Sequence, residues 1–409
     1  MKDDGRTHAD ATALPGGHTY DGAFAPDGPV TPEGGRAPAL AETSARPAAP
    51  GGTRPGAVRA ARRGVRLGPL GLAWRPRVLG VTAAAFVAAL LLLVAAVAVG
   101  STGISPVTVV RALAGGGDPA DHFIVVTLRL PRALTGALVG LALGVAGALT
   151  QTFTRNPLAT PDILGVTSGA SVGAVAAIVL GGGGFSLGAS VLGGTVPAAA
   201  TAGALIASVL VYGLGLRGGV QSYRLVLVGI GVGATLDAVT SYLLVRAKIT
   251  LATAASQWLV GSLSGTSWTS LWPLLVTTGV ALPLALAASS SLSLGQLGDD
   301  VATGVGLAVQ RHRLLVIALA VVLTAGAVAA AGPVGFVAFV VPQLAVRLCG
   351  TARPPLALSG LLGAALVLVA DLAARTVFPW EVPVGILTTV VGAPYLIWLL
   401  VRHRKEMTS

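Results

Sequence analysis

The sequence predicts an all-α polytopic membrane protein with about ten transmembrane helices, and three observations lead there. Hydrophobic residues make up 54% of the 409 residues and charged residues only 11%, with a mean hydropathy of +0.81. A soluble domain of this length needs far more charge to cover its surface. Apolar runs such as Val78–Gly100, Ala133–Leu149 and Arg313–Ala331 approach or exceed the roughly 20 residues a helix needs to cross a bilayer. The polar–apolar alternation of a transmembrane barrel strand is missing, whereas the 56 glycines suit membrane helices that pack closely through small residues.

Taken in order, residues 1–77 are rich in Gly, Pro, Ala, Asp and Arg without aliphatic periodicity, and are expected to form a disordered, basic, cytoplasmic tail. Eleven of the 27 Lys and Arg lie in this stretch, and the run Arg54–Arg77 directly precedes the first apolar segment. That is the pattern of a cytoplasmic flank, and it assigns the net charge of +11 to topology rather than to nucleic acid. A cleavable leader is not expected, because the first apolar run begins near residue 78 and exceeds a signal-peptide core in length. Spans are expected at 78–100, 133–152, 163–180, 190–214, 224–246, 271–289, 313–331, 335–348, 355–376 and 383–401. The eighth is short enough to be a half-length helix, tolerable only where protein covers its ends. Residues 403–409 then form a second cytoplasmic tail. With the N-terminus inside, interior loops carry ten further Lys and Arg against six in exterior loops, so both termini are expected in the cytoplasm.

Several chemistries are excluded or left open by the residues themselves. The single cysteine, Cys349, rules out an internal disulfide and a cysteine-based metal site. The five histidines, His8, His18, His122, His312 and His403, are scattered and read as solvated residues rather than metal ligands. The Gly229–Gly233 pattern sits inside an apolar helix and the Gly181–Gly184 run in a turn between spans, so neither has the setting of a phosphate cradle. None of the three lysines, Lys2, Lys248 and Lys405, completes a P-loop; if ATP drives this protein, another chain binds it. Asp237 is the one carboxylate well inside a span. Such a group is a functional candidate by default, with a structural or cavity-lining role as the alternative. Around Asn156-Pro157 and Pro161-Asp162, turn signals interrupt helix at the inner membrane face. The interruption either lines a cavity or is a plain connection.

Read in order, the chain carries Arg-Leu-Pro-Arg at 129–132, Asn156-Pro-Leu-Ala with Leu164-Gly, and Trp258-Leu-Val-Gly-Ser-Leu. Leu297-Gly-Asp-Asp-Val-Ala, Ala331-Gly-Pro-Val-Gly-Phe-Val, Glu381-Val-Pro-Val-Gly and Gly392-Ala-Pro follow. This series, from about Ile104 to Arg402, resembles the FecCD-type permeases of bacterial ABC importers, which serve ferric siderophores, haem and vitamin B12. The tail lies outside the pattern.

The resemblance implies the type II importer permease architecture in the bacterial cytoplasmic membrane, alternating access, and neither a cofactor nor ATP hydrolysis on this chain. It implies a coupling segment at about 295–310, with Gly298, Asp299, Asp300, Ala302 and Gly306 docking into ATPase subunits. Arg129, Arg132 and Arg375 are implied to meet carboxylates of an extracytoplasmic binding protein. Snorkelling to lipid headgroups and an i,i+4 pair of Arg375 with Asp371 are competing uses of those arginines. Gln151, Asn156, Pro157, Ser168 and Gly169 are the expected pathway residues, small or weakly polar, as a large cargo requires. Further implied partners are a second permease subunit, identical or not, a ferric siderophore and membrane lipid, with no nucleic acid. After Val341-Pro342 this chain has Gln343-Leu-Ala-Val-Arg347 where many relatives have His followed by Ile-Ala-Arg, a version like the ferric-enterobactin branch. That favours a siderophore and a non-identical partner permease. Haem or vitamin B12 import is the alternative. An ion-coupled carrier would need paired intramembrane acids, and a membrane enzyme a cluster of His, Asp or Glu.

Overall fold

The computed structural model describes residues 64–67, 70–73, 75–100, 103–181, 195–215, 222–296 and 298–408. Within the stretch expected to be an unstructured tail, β1 (Gly64–Leu67) and β2 (Leu70–Ala73) pair as a short antiparallel hairpin. The remainder of that tail lies outside the described residues. Everything after it is helical: α1 (Pro76–Ala98), α2 (Pro106–Leu113), α3 (Pro119–His122), a π-helical turn Phe123–Arg129, α4 (Leu130–Thr154), a 3-10 turn Pro161–Leu164 and α5 (Val166–Leu180). Then come α6 (Thr195–Gly215), α7 (Ser222–Arg246), α8 (Ile249–Leu259), α9 (Trp268–Ala287), α10 (Ser289–Gly295) and α11 (Asp299–Gly304). The chain ends with α12 (Val309–Ala331), α13 (Val337–Cys349), α14 (Leu356–Thr376) and α15 (Val384–Thr408). Among the described residues, seven helices are long and apolar enough to cross a membrane, and α5, α13 and the first part of α15 are shorter apolar helices.

The centre of the bundle is α4 and α12, the two most buried of these spans. Helix α4 packs on α14, α12, α13 and α9, and α5 packs on α6 and α7. Glycine makes the closest of these approaches: a Cβ at Gly140 of α4 would collide with the Gly363 carbonyl of α14. With no net hydrophobic drive between helices in lipid, such van der Waals closeness is what holds them. Helices α1, α6, α7 and α9 keep large apolar side chains such as Phe86, Ile206, Ile230 and Trp272 exposed. In a membrane protein these are faces for lipid or for another subunit.

Besides the hairpin, and α2 in the loop expected between the first two spans, three elements differ from the sequence-based expectation. The second span starts earlier than residue 133, since a continuous helical run spans Pro119–Thr154. Pro131 does not break it, because it occupies the first turn of α4 immediately after the π turn, where its missing N–H costs little. Helix α8 occupies a segment expected to be exterior loop. The terminal tail expected at 403–409 instead continues α15 to Thr408.

Candidate functional site

Charged side chains gather at the two ends of the bundle. At one end Arg129 is 7% exposed and its guanidinium donates to the carbonyls of Val97 (3.2 Å) and Ala98 (2.9 Å). Arg375 donates to the carbonyls of Val99 (3.1 Å) and Ala96 (3.1 Å). The last carbonyls of a helix have no partner within it, and α1 has no basic residue in its own last turn. Two arginines from α14 and the π turn therefore cap it.

Arg132 donates through Nε (3.0 Å) and Nη2 (2.8 Å) to Asp371 Oδ1, and its Nη2 lies 2.6 Å from Glu381 Oε1. Arg375 Nε is 3.1 Å from Asp371 Oδ2, the intrahelical pair anticipated as a competing use. Asp371, 1% exposed, is thus held between two guanidiniums. Ser264 donates to Glu381 Oε1 at 2.6 Å. Burial works to raise the Glu381 carboxyl, but the Ser264 hydrogen bond and the charges of Arg132 and Arg375 outweigh it and hold the group below the usual carboxylate range. The three arginines expected to meet a partner's carboxylates are therefore all engaged within the chain, and Arg129 is turned furthest from that use.

At the other end Asp299, in the first turn of α11, joins three elements. Arg313 of α12 reaches both of its carboxylate oxygens at 2.8 Å. Arg155, which follows α4, reaches Oδ1 at 3.1 Å and the Gly295 carbonyl at 2.6 Å. Arg155 has φ 53°, a left-handed conformation that costs a non-glycine residue about 1–2 kcal/mol. It closes α4 with paired bonds, Asn156 N–H to the Gln151 carbonyl (3.2 Å) and Arg155 N–H to that of Thr152 (3.4 Å), the arrangement glycine normally supplies. Helix α11 closes in the same way, through Gly306 N–H to Thr303 and Leu307 N–H to Ala302. There Gly306, at φ 86°, avoids the strain. Gly298 enters α11 at φ 107°, Ala302 is fully buried beneath it, and Asp300 stays exposed. Leu297 lies outside the described residues.

Next to the end that carries Arg132 and Glu381, motifs far apart in sequence meet backbone to backbone. Ser262 N–H donates to the Ala331 carbonyl (2.8 Å) and Gly385 N–H to that of Gly261 (3.0 Å). A Cβ on Gly261, Gly332 or Gly385 would strike the carbonyl of Pro333, Trp258 or Val260 respectively. Just beyond this junction Phe336 has φ 63°, an outlier for a bulky residue. Gly392 of α15 leaves room for its ring.

Two cavities flank α4. The first, about 320 Å³, is lined by Thr160–Asp162, Thr167, Ser168, Ser171, Asp237, Thr324 and the Pro333–Phe336 bend. The second, about 400 Å³, is lined by Gln151, Thr152, Arg155, Pro157, Gln296 and Gln343 among others. Gln343 donates to Gln151 Oε1 at 2.6 Å, and Gln151 donates to the Phe339 carbonyl at 3.1 Å, so α4 and α13 share a buried, satisfied polar pair. Of the expected pathway residues, Ser168 lines the first cavity and Gln151 and Pro157 the second. Asn156 is spent on a turn, accepting from Leu158 N–H at 2.9 Å. Gly169 departs from the expectation: it faces α6, where a Cβ would collide with the Gly203 carbonyl and Ala207.

A family model described as the FecCD transport family matches residues 75–402. The ferric enterobactin transport system permease protein FepG of Escherichia coli (strain K12) is 40% identical over 299 residues, covering 73% of this chain and 88% of that protein. The siderophore transport system permease protein YfhA of Bacillus subtilis (strain 168) is 38% identical over 333 residues, 80% of this chain and 94% of that one. The cobalamin import system permease protein BtuC of Halobacterium salinarum is 41% identical over 288 residues, 70% of this chain and 75% of that one. A solved inward-facing structure of a metal-chelate type ABC transporter superposes with a TM-score of 0.70 at 27% identity, covering 79% of this chain and 99% of that one.

Proposed function

This chain belongs to the FecCD transport family and is the permease subunit of an ABC importer, not its ATPase; from that premise we propose that its cargo is a ferric siderophore. The relatives named for siderophore transport cover most of both chains, and Pro342-Gln343 supports the same branch. The observation that carries the mechanism is the fork at Asp299. A six-residue helix between spans is tied by one carboxylate to α4 and to α12, the two central helices. Displacement of α11 by an ATPase is then passed directly to α4, which borders both cavities, and to α12, which borders the first.

In this reading α11 and both termini are cytoplasmic, with Gly298, Asp299, Asp300, Ala302 and Gly306 forming the ATPase contact. The end that carries Arg132, Asp371, Arg375 and Glu381 receives the binding protein. Arg132 and Arg375 reach it through a network that already holds carboxylates, while Arg129 serves by fixing α1. The exposed apolar face of α7 meets a second permease subunit, and the pathway runs between the two. The permease performs no bond chemistry; its side chains bind weakly, exclude solvent and move.

The test is uptake into proteoliposomes that hold this chain with its permease partner and ATPase, supplied with binding protein and ATP. ATP-dependent entry of a ferric siderophore without entry of cobalamin supports the reading. The similarity to the cobalamin permease of Halobacterium salinarum makes cobalamin the specific competitor, and cobalamin entry alone would overturn it.

A further inference from the structure

The cavity of about 320 Å³ has a charge that the proposed transport cycle does not explain. Asp162 and Asp237 line it, and no Lys, Arg or His does. The Asp162 carboxylate accepts from the Thr167 hydroxyl at the start of α5. The Asp237 carboxylate is exposed and takes part in no ion pair or hydrogen bond among the described residues. The positive ends of α5 and α13 also face this region, but each contributes only about half a unit charge. Two full carboxylates leave the cavity net negative.

A second observation is independent of the acids. Thr324 on α12 is 2% exposed, lines the same cavity, and its hydroxyl has no hydrogen-bond partner. Helical threonines elsewhere in the bundle return their hydroxyl to the carbonyl four residues back, as Thr150, Thr152 and Thr240 do. Thr135 and Thr278 also lack partners, but they line neither cavity described above. A buried hydroxyl without a partner is costly, and one in the wall of a cavity that two carboxylates also line suits a donor-rich cation.

We propose that this cavity is a cation-selective subsite that admits the ammonium group of a positively charged chelate, so that the cargo parts in charge from the anionic tris-catecholate chelate named for the relative FepG. The N–H donors of an ammonium would be shared between the Asp237 carboxylate and the free oxygen of Asp162, and with the Thr324 hydroxyl once a side-chain rotation turns it out of the wall into the cavity. Asp237 is then a specificity-determining residue. The cargo half of this inference rests on the ferric-siderophore reading; the charge preference of the cavity does not.

The assembled transporter provides the test in two arms. In a Cys349→Ala background, Ser168→Cys places one thiol at the cavity. The thiol is probed with a trimethylammonium-bearing and a sulfonate-bearing methanethiosulfonate, each rate normalised to a free thiol. The cationic reagent should react about tenfold faster; Asp237→Asn should remove most of that ratio and Asp237→Glu should keep it. Equal rates, a ratio indifferent to Asp237→Asn, or no reaction with either reagent would overturn the proposal. Thr160→Cys, at the rim of the same cavity, repeats the measurement if Ser168→Cys does not assemble. In the second arm, a ferric hydroxamate with a free terminal ammonium is compared with its N-acetylated form. Preference for the ammonium form that Asp237→Asn abolishes supports the cargo assignment, and preference that survives the substitution overturns it. Import of neither chelate alongside a cation-selective thiol would count against the ferric-siderophore reading and for the subsite.

Discussion

At the scale of single residues, the buried charge is concentrated on Asp371. Breaking a buried pair by removing one partner costs roughly 3–5 kcal/mol, because the remaining charge is left uncompensated. Asp371→Asn strips Arg132 and Arg375 of a shared partner, while Glu381 and the carbonyls at the end of α1 remain. The expected loss is about 3 kcal/mol, read as a lowered midpoint of thermal unfolding in detergent; an unchanged midpoint would remove Asp371 from the structural account. Glu381 is 45% exposed, so its contribution is small, about 0.2–1 kcal/mol, and its value lies in its pH signature. Its carboxyl is held below the usual range. The stabilisation is therefore fully present above the unfolded carboxylate pKa and is lost only as pH falls through the lower folded value. The stability difference between wild type and Glu381→Gln should stay constant from pH 7 to about pH 5 and vanish in stronger acid. A difference that grows on acidification would contradict the assignment. Of these contacts only the Asp371–Arg375 pair was legible in the sequence, since it follows from helical spacing. Arg132–Asp371 joins positions 239 apart, and no local pattern reports such a meeting.

At the scale of elements, Arg155 sets stability against function. Glycine in its place relieves a left-handed conformation and should leave the unfolding midpoint unchanged or raise stability by up to about 1 kcal/mol. The same change deletes the tie from α4 to Asp299 and Gly295. Arg155→Gly should therefore keep the protein folded, and the ATPase in the complex active, while uptake falls several-fold. Parallel loss of stability and uptake would mean the tie is merely structural. Asp299→Asn cuts both links of α11 at once and should lower uptake further at equal expression. The long spans were legible because apolar length is a local property. The short helix α13 was legible for the same reason, from the length of its apolar run; the shortness of α5, the π turn and α8 were not, because their form is dictated by what they meet. Gly169 shows the limit: its neighbours are pathway-like in composition, but only the position of α6 decides which way it faces.

At the scale of the whole molecule, the basic stretch before α1 and the bundle answer to different rules. Deleting residues 2–60, which carry no apolar periodicity and lie outside the family match, should leave insertion and uptake intact. The arginines from Arg62 to Arg77 must remain to hold orientation. Loss of uptake with normal insertion would make that segment a working part. The bundle, in contrast, is closed by a junction of three distant segments, with Ser262 bonded to Ala331 and Gly261 to Gly385. This gives the protein a required order of manufacture. While the ribosome is still translating the spans before α15, the Gly261 carbonyl lacks its Gly385 partner, and a buried carbonyl left unpaired is costly. The nascent bundle therefore carries an open polar seam until its last helix is delivered, and a chain stopped at residue 380 should be recognised and degraded although nearly all of its hydrophobic length is already in the membrane.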